Sequence, residues 1–240
     1  MPRAVLCLPT YNERENLEPM IAALGDALDT SQDRVLVIDD GSPDGTGQIA
    51  DRLASEHSWV SVLHRQPKEG IGPAYVAGFR QALAEGAELV LEMDCDFSHD
   101  PADVPRLIAA ADGADLVLGS RYAPGGGTAN WGLVRRVVSR GGCLYAQVIL
   151  GLRIRDLTGG FKCFRRQTLE AIDLGALSAH GYAFQIETTY RVKRAGLRIQ
   201  EVPITFVERR AGASKMTGSI VAEAMWKVPL LRMRALTGKL

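Results

Sequence analysis

No stretch of this 240-residue chain runs for about 18 residues without a charge, the length an apolar helix needs to cross a bilayer. The longest apolar segments, Val137 to Leu150 and Ile220 to Leu236, are interrupted by Arg140 and by Glu223, Lys227, Arg232 and Arg234, so no transmembrane segment is expected. The opening run to Leu8 is too short for the apolar part of an export signal. Cysteine is sparse: Cys7, Cys95, Cys143 and Cys163 are scattered with no C-x-x-C pair, which argues against a disulfide or zinc framework and for thiols in a reducing cytoplasm. Phosphate-binding glycine signatures are missing too, since no G-x-G-x-x-G follows a strand and no G-x-x-x-x-G-K-[ST] occurs. That counts against a dehydrogenase or a P-loop enzyme. No repeat, low-complexity tract or nucleic-acid module is visible, so nucleic acid is not an expected partner. His57, His64, His99 and His180 are expected to cap, face solvent or pack.

What is present is an ordinary globular composition, 46% hydrophobic and 23% charged, with length for one α/β domain. The net charge of zero hides an asymmetry: residues 1–120 hold 8 Lys/Arg against 21 Asp/Glu, and residues 121–240 hold 20 against 7. An acidic half that gathers a cation and a basic half that receives phosphate is one reading; mutual attraction of the halves is the other. Apolar runs at Ala4–Leu8, Val35–Ile38, Val60–Leu63, Leu89–Leu91 and Leu116–Leu118 alternate with helical periodicity, the pattern of a mostly parallel sheet covered on both faces. Asn12 and Glu15 suggest a capping box for the first helix. Beyond Tyr122 a Pro124–Gly127 loop, a helix over Leu133–Leu150, a strand over Phe161–Phe164, a helix over Ala183–Ala195, a strand over Ile199–Val207 and an amphipathic helix over Gly218–Leu236 are expected. The chain thus reads as a single domain, 1–240, with a nucleotide-binding half over 1–122 and an acceptor-binding half over 123–240.

Ligands in open α/β sheets bind at the carboxyl ends of strands, and there the sequence is polar each time. Pro9-Thr-Tyr-Asn-Glu13 follows the first run, Asp39-Asp-Gly-Ser-Pro-Asp-Gly-Thr46 the second, Asp94-Cys-Asp96 the fourth and Gly119-Ser-Arg-Tyr122 the fifth. Because side chains alternate along an extended segment, Asp94 and Asp96 are expected to point to one side, and two carboxylates so placed suit Mg²⁺ or Mn²⁺ shared with substrate phosphates. A polar loop with a helix cap is the simpler alternative. Asp39 and Asp40 can accept from a ribose or base, or build a routine turn. Arg121, Arg135, Arg209 and Lys215 are the candidate phosphate ligands, with a solvated basic surface as the alternative.

Together Pro9–Glu13, Val37–Thr46, Glu92–His99, Gly119–Tyr122, Asp156-Leu-Thr-Gly-Gly-Phe161, Gly181-Tyr-Ala-Phe-Gln-Ile-Glu187 and Arg209–Lys215 resemble the dolichol-phosphate mannose synthases. Within that group the chain is most similar to the bacterial polyprenol-phosphate mannosyltransferases of glycosyltransferase family 2. The resemblance implies a GT-A (Rossmann-like) fold, α/β, with a mostly parallel sheet flanked by helices. It implies GDP-mannose as donor, held by Pro9, Tyr11, Glu13, Ile38, Asp40, Asp94, Cys95, Asp96, Arg121, Arg209 and Lys215. It implies a metal on Asp94, Asp96 and Ser98, and a polyprenyl phosphate acceptor at Arg121, Arg135 and Ser139. Asp96, Arg121 and Arg135 are the residues expected to act in catalysis. The expected setting is peripheral, on the cytoplasmic face of a membrane surface, with or without a membrane-anchoring partner protein. A UDP-glucose or UDP-N-acetylhexosamine transferase and a non-catalytic nucleotide-sugar-binding module are the competing readings.

Overall fold

The computed structural model describes residues 2–66, 70–177, 181–209, 218–238 and 240; for residues 181, 182 and 218–224 it describes the backbone alone. Among these residues the strands are β1 (Ala4–Thr10), β2 (Asp33–Asp39), β3 (Val60–His64), β4 (Leu89–Glu92), β5 (Leu116–Ser120), β6 (Gly127–Ala129), β7 (Lys162–Arg165), β8 (Ile199–Pro203) and β9 (Thr205–Val207). Seven of them form one sheet in the order β3-β2-β1-β4-β7-β5-β8. Neighbours pair in parallel except β7, which runs antiparallel between β4 and β5. The order reverses on either side of β1, which opens a crevice at the carboxyl ends of β1, β2 and β4.

Helices cover both faces: α1 (Leu17–Ala27), α2 (Thr46–Glu56), α3 (Ile71–Ala84), α4 (Val104–Ala110), α5 (Leu133–Leu150), α6 (Arg166–Ala171), α7 (Gly181–Arg194) and α8 (Gly218–Leu236). Side-chain alternation along the strands sorts the core into two layers. Ala4, Leu6 and Leu8 of β1 pack with Leu17, Met20 and Leu24 of α1 and Leu107 of α4. Val5 and Cys7 pack on the other side with Tyr75 and Phe79 of α3, Phe184 of α7 and Val228 of α8. A side chain on Gly78 would overlap Ile38 and Cys7, so a bare backbone there lets α3 lie close against the sheet. All four cysteines are buried thiols.

Three expectations are corrected. Asn12 does not cap α1: it sits at φ 57, and the helix starts at Leu17 after Asn16, whose side chain donates instead to Glu13 Oε2 at 2.8 Å. The strand expected over Ile199–Val207 breaks after Pro203, and β9 leaves the main sheet to pair with β6 in a separate two-stranded ribbon. Part of the expected Pro124–Gly127 loop is therefore strand. Finally, β4 ends at Glu92, and Met93–Ser98 is irregular, with Phe97 in the left-handed region at φ 59. Strand alternation does not extend to Asp94 and Asp96, because this turn places them.

Candidate functional site

Three of the acidic residues at the mouth of the crevice are held by their own loops. Asp39 accepts from the Ser42 hydroxyl at 2.5 Å and from the Ser42 N–H at 3.2 Å. Asp44 accepts from the hydroxyl and N–H of Thr46 at 2.6 and 3.0 Å, starting α2 as expected, and from the Arg14 N–H at 3.2 Å. Asp96 accepts from the hydroxyl and N–H of Ser98 at 2.5 and 3.1 Å. Gly41, at φ 71, makes the turn between the first two possible. The loops also lock to each other, since the Glu13 N–H donates to Thr46 Oγ1 at 3.0 Å and the Asn12 N–H to Ser42 Oγ at 3.1 Å. Asp40 is paired with Arg65 at 2.6 Å, a cation the sequence had not singled out.

Pro9 and Tyr11, on the segment that follows β1, are half-buried and Glu13 is buried. Ile38 differs from the rest: its side chain is wholly buried in the core, so only its backbone faces the crevice side, where its carbonyl accepts from Thr10 Oγ1 at 3.4 Å. Cys95 is buried between the two acids, in the layer with Leu91 and Met93. Asp100 caps the short 3₁₀ turn over Pro101–Asp103 that follows.

Asp94 is half-buried and Asp96 buried at the end of β4. The buried Tyr75 hydroxyl registers their charge: its pKa is raised well above the ordinary value by burial first, then by Asp94, Glu92 and Asp96. Among the described residues no three His, Cys, Asp or Glu side chains form a cluster that could hold a metal ion. Two carboxylates and concentrated negative charge fit a hard cation that keeps water and phosphate oxygens as its remaining ligands. Ser98, expected as a third ligand, spends its hydroxyl proton on Asp96 and keeps its oxygen lone pairs.

The second half of the chain closes the crevice with cations. Arg209 Nη2 lies 3.3 Å from Asp96 Oδ2; Lys215, on the same sequence segment, and Arg210 and His180 lie outside the described residues. Arg121 is buried and grips Asp156 through a two-bond fork of 2.7 and 2.6 Å, with Thr158 at 2.8 Å. Burial alone would raise the Asp156 carboxyl, but the Arg121 charge and hydrogen bonds hold it below the usual range. Arg121 is thus committed mainly to Asp156, and only Nη1 carries no hydrogen bond to a described residue. Arg135 pairs with Glu208 and stacks on Trp131, 4.2 Å from the ring centre, while Arg121 lies 5.6 Å from the same ring. Ser139 accepts from Tyr122 Oη at 2.8 Å. The structure therefore gathers Arg121, Arg135 and Ser139 around Trp131 and Tyr122.

His99 packs, one of the roles expected for it, between Phe161 and Phe206, and burial pushes its pKa down to about 4, against the pull of Asp96. Sequence reasoning missed two further elements of this region, Glu201 and Lys162. Glu201 ties Ser120 Oγ at 2.7 Å to the Asp156 N–H at 3.0 Å. Lys162, wholly buried, stands 3.3 Å from the equally buried Glu92. A lysine inside Phe161-Lys-Cys-Phe164 and a glutamate closing an apolar strand were the available signals.

Next to Arg135, α5 turns Leu133, Val134, Val137, Leu144 and Val148 outward, and α8 exposes Met225, Trp226, Met233 and Leu236. The two helices are neighbours, with Tyr145 Oη donating to the Met225 carbonyl at 2.9 Å and Arg232 to the Leu150 carbonyl at 3.3 Å. Exposed apolar residues at this density mark an interaction surface. Among the described residues no helix is long and apolar enough to cross a membrane.

Comparison with known proteins agrees with this geometry. A family model described as Glycosyl transferase family 2 matches residues 5–173. The chain is 50% identical over 226 residues to the undecaprenyl-phosphate mannosyltransferase of Micrococcus luteus, covering 94% of this chain and 92% of that one. It is 48% identical over 228 residues to the polyprenol monophosphomannose synthase of Mycolicibacterium smegmatis, covering 94% and 85%. Among solved structures, glucosyl-3-phosphoglycerate synthase from Mycobacterium tuberculosis in complex with Mn²⁺, UDP and glucosyl-3-phosphoglycerate superposes with a TM-score of 0.67 at 22% identity, over 99% of this chain and 80% of that one. That likeness fixes the fold as GT-A.

Proposed function

The chain belongs to glycosyl transferase family 2, and on that footing we propose that it moves mannose from GDP-mannose to the phosphate of a polyprenyl (dolichyl) chain. The mannosyltransferases it matches at 50% and 48% identity support the sugar and the acceptor class. The observation that carries the reading is the 3.3 Å approach of Arg209 to Asp96, which brings the basic half of the chain onto the acids at the strand end. A leaving diphosphate needs that pairing of charges.

In this reading an oxygen of the acceptor phosphate attacks C1 of the mannosyl unit. The bond from C1 to the diphosphate oxygen breaks, its electron pair leaves with GDP, and the configuration at C1 inverts from α to β. A phosphate monoester is already ionised near neutral pH, so no side chain has to remove a proton, which accounts for a site without a catalytic histidine. The nucleoside lies against Pro9, Tyr11, Glu13, the Ile38 backbone and Asp40. Asp94 and Asp96, with Ser98 beside them, would hold Mg²⁺ or Mn²⁺, which when bound neutralises charge on the departing diphosphate. Arg209 and, on sequence grounds, Lys215 supply the same kind of stabilisation. Arg135, the remaining Nη1 edge of Arg121 and the Ser139 hydroxyl receive the acceptor phosphate. Asp156 keeps Arg121 in place for that role.

The apolar face of α5 and α8 lies on the membrane surface that carries the acceptor, with Arg136 and Arg140 toward anionic headgroups. Arg135, in the first turn of α5, then sits beside lipid phosphate. The cytoplasmic leaflet is the expected side, where the buried thiols stay reduced; a membrane-anchoring partner protein is the competing occupant of that face. One experiment tests the reading: the purified chain is incubated with radiolabelled GDP-mannose, Mg²⁺ or Mn²⁺ and anionic vesicles containing polyprenyl phosphate. Label is expected in the organic phase, lost with chelator, and the chain is expected to sediment with the vesicles. Transfer from UDP-sugars but not GDP-mannose, or no transfer at all, contradicts it.

A further inference from the structure

Nothing in the transfer step accounts for the buried pair behind Asp94, or for the Gly159-Gly160 and Gln185 segments of the sequence. On β4, Val90 and Glu92 face the α3 and α7 layer, and Glu92 stands opposite Lys162 in the antiparallel register with β7. Both side chains are 0% exposed. Removing two charges from water costs several kcal/mol per ion, and an apolar pair would fill the same volume more cheaply. The pair therefore needs a purpose beyond packing.

Its purpose is legible in what Lys162 holds. The ammonium donates to the Gln185 carbonyl at 2.9 Å, to Thr188 Oγ1 at 3.0 Å and to Gln185 Oε1, which uses its three N–H groups. An ammonium cannot accept, so the amide atom it meets must be the oxygen. Nε2 of Gln185 is thereby turned the other way, where the amide helps hold the Glu92 carboxyl down against burial and borders Gly160. A Cβ placed on Gly160 would lie 3.3 Å from Gln185 Nε2 and 3.9 Å from both oxygens of Asp94. Glycine leaves that space open between an amide donor and a carboxylate acceptor. A hydroxyl group fits such a gap, accepting from one side and donating to the other.

We propose that Gln185 recognises the sugar being transferred: across the bare backbone of Gly160, its Nε2–H group and the Asp94 carboxylate bracket a hydroxyl of the mannosyl unit. Lys162 is the positioning residue that fixes the amide, and Glu92 compensates its charge. This rests on the reading of GDP-mannose as donor.

The test is calorimetric titration of the full chain with GDP and with GDP-mannose in the presence of Mn²⁺. Gln185→Glu keeps the oxygen that Lys162 holds and removes the N–H donors. Its affinity for GDP-mannose is expected to fall about tenfold, the cost of one lost hydrogen bond to a buried group, while its affinity for GDP stays within about twofold. Should that variant not fold, Gly160→Ala fills the same gap with a methyl against Gln185 Nε2, keeps every donor and acceptor of the Lys162 contacts, and is expected to show the same selective loss. Equal weakening toward both ligands, or no change toward either, overturns the proposal. Failure of the wild-type chain to bind either ligand overturns the donor reading, and the proposal with it.

Discussion

The two walls of the crevice are built by opposite means. On the wall formed by the ends of β1, β2 and β4, three acids are held by hydroxyls two or three residues away, Asp39 by Ser42, Asp44 by Thr46 and Asp96 by Ser98, while Asp40 is paired with Arg65 at a separation of 25 residues. On the wall contributed mainly by the second half, charges are held by partners far off in sequence. Arg121 and Asp156 are 35 residues apart, and Arg135 and Glu208 are 73 apart. Local turns cost little ordering entropy to form, because the chain they close is short. Long-range pairs cross-link distant segments, and the Arg121–Asp156 pair is buried as it forms. The first wall is therefore suited to exchanging partners with a ligand, and the second to holding a shape.

The sharpest way to break this contrast is Asp156→Ala, which leaves the Arg121 guanidinium buried without its countercharge. Urea unfolding is expected to show a loss of about 3–5 kcal/mol; a loss below about 1 kcal/mol would make the pair no more than a surface contact. The pH dependence carries a sign. Because the folded Asp156 pKa lies below the ordinary 3.8, its contribution is complete above that value and is lost as pH falls through the folded pKa. The gap between wild type and variant should be constant above about pH 5 and close in acid. A gap that widens in acid would reverse the assignment.

On the local wall the expected effect is smaller. Ser42→Ala removes one hydrogen bond to Asp39 from a half-exposed loop, so about 1 kcal/mol of stability is expected to go, again by urea unfolding. A loss matching that of Asp156→Ala would erase the distinction between the walls.

The same contrast explains what the sequence disclosed. An aspartate with a serine or threonine two or three places on is visible without a structure, so the nucleotide side and the acid pair were legible, as were the strands with their continuous apolar runs. The route by which Asp94 and Asp96 come together was not, because a left-handed Phe97 carries no signature in residue type. Nor were the partners of Arg121 and Lys162, since spacing alone does not reveal which distant acid or amide a cation meets. Arg121 looked like a phosphate ligand because its fork suits phosphate, and the same fork suits Asp156. The split between β8 and β9 was marked only by Pro203, which a strand's first or edge position also tolerates.

The most direct measurement of the central claim is mannose transfer by Asp96→Asn, assayed with radiolabelled GDP-mannose and polyprenyl phosphate beside a thermal unfolding curve. The amide can still accept from Ser98, so the melting temperature should stay near that of the wild type. Transfer should fall at least about a hundredfold, the scale of losing an electrostatic stabiliser of the leaving group. A well-folded Asp96→Asn protein that transfers mannose at the wild-type rate would contradict the account.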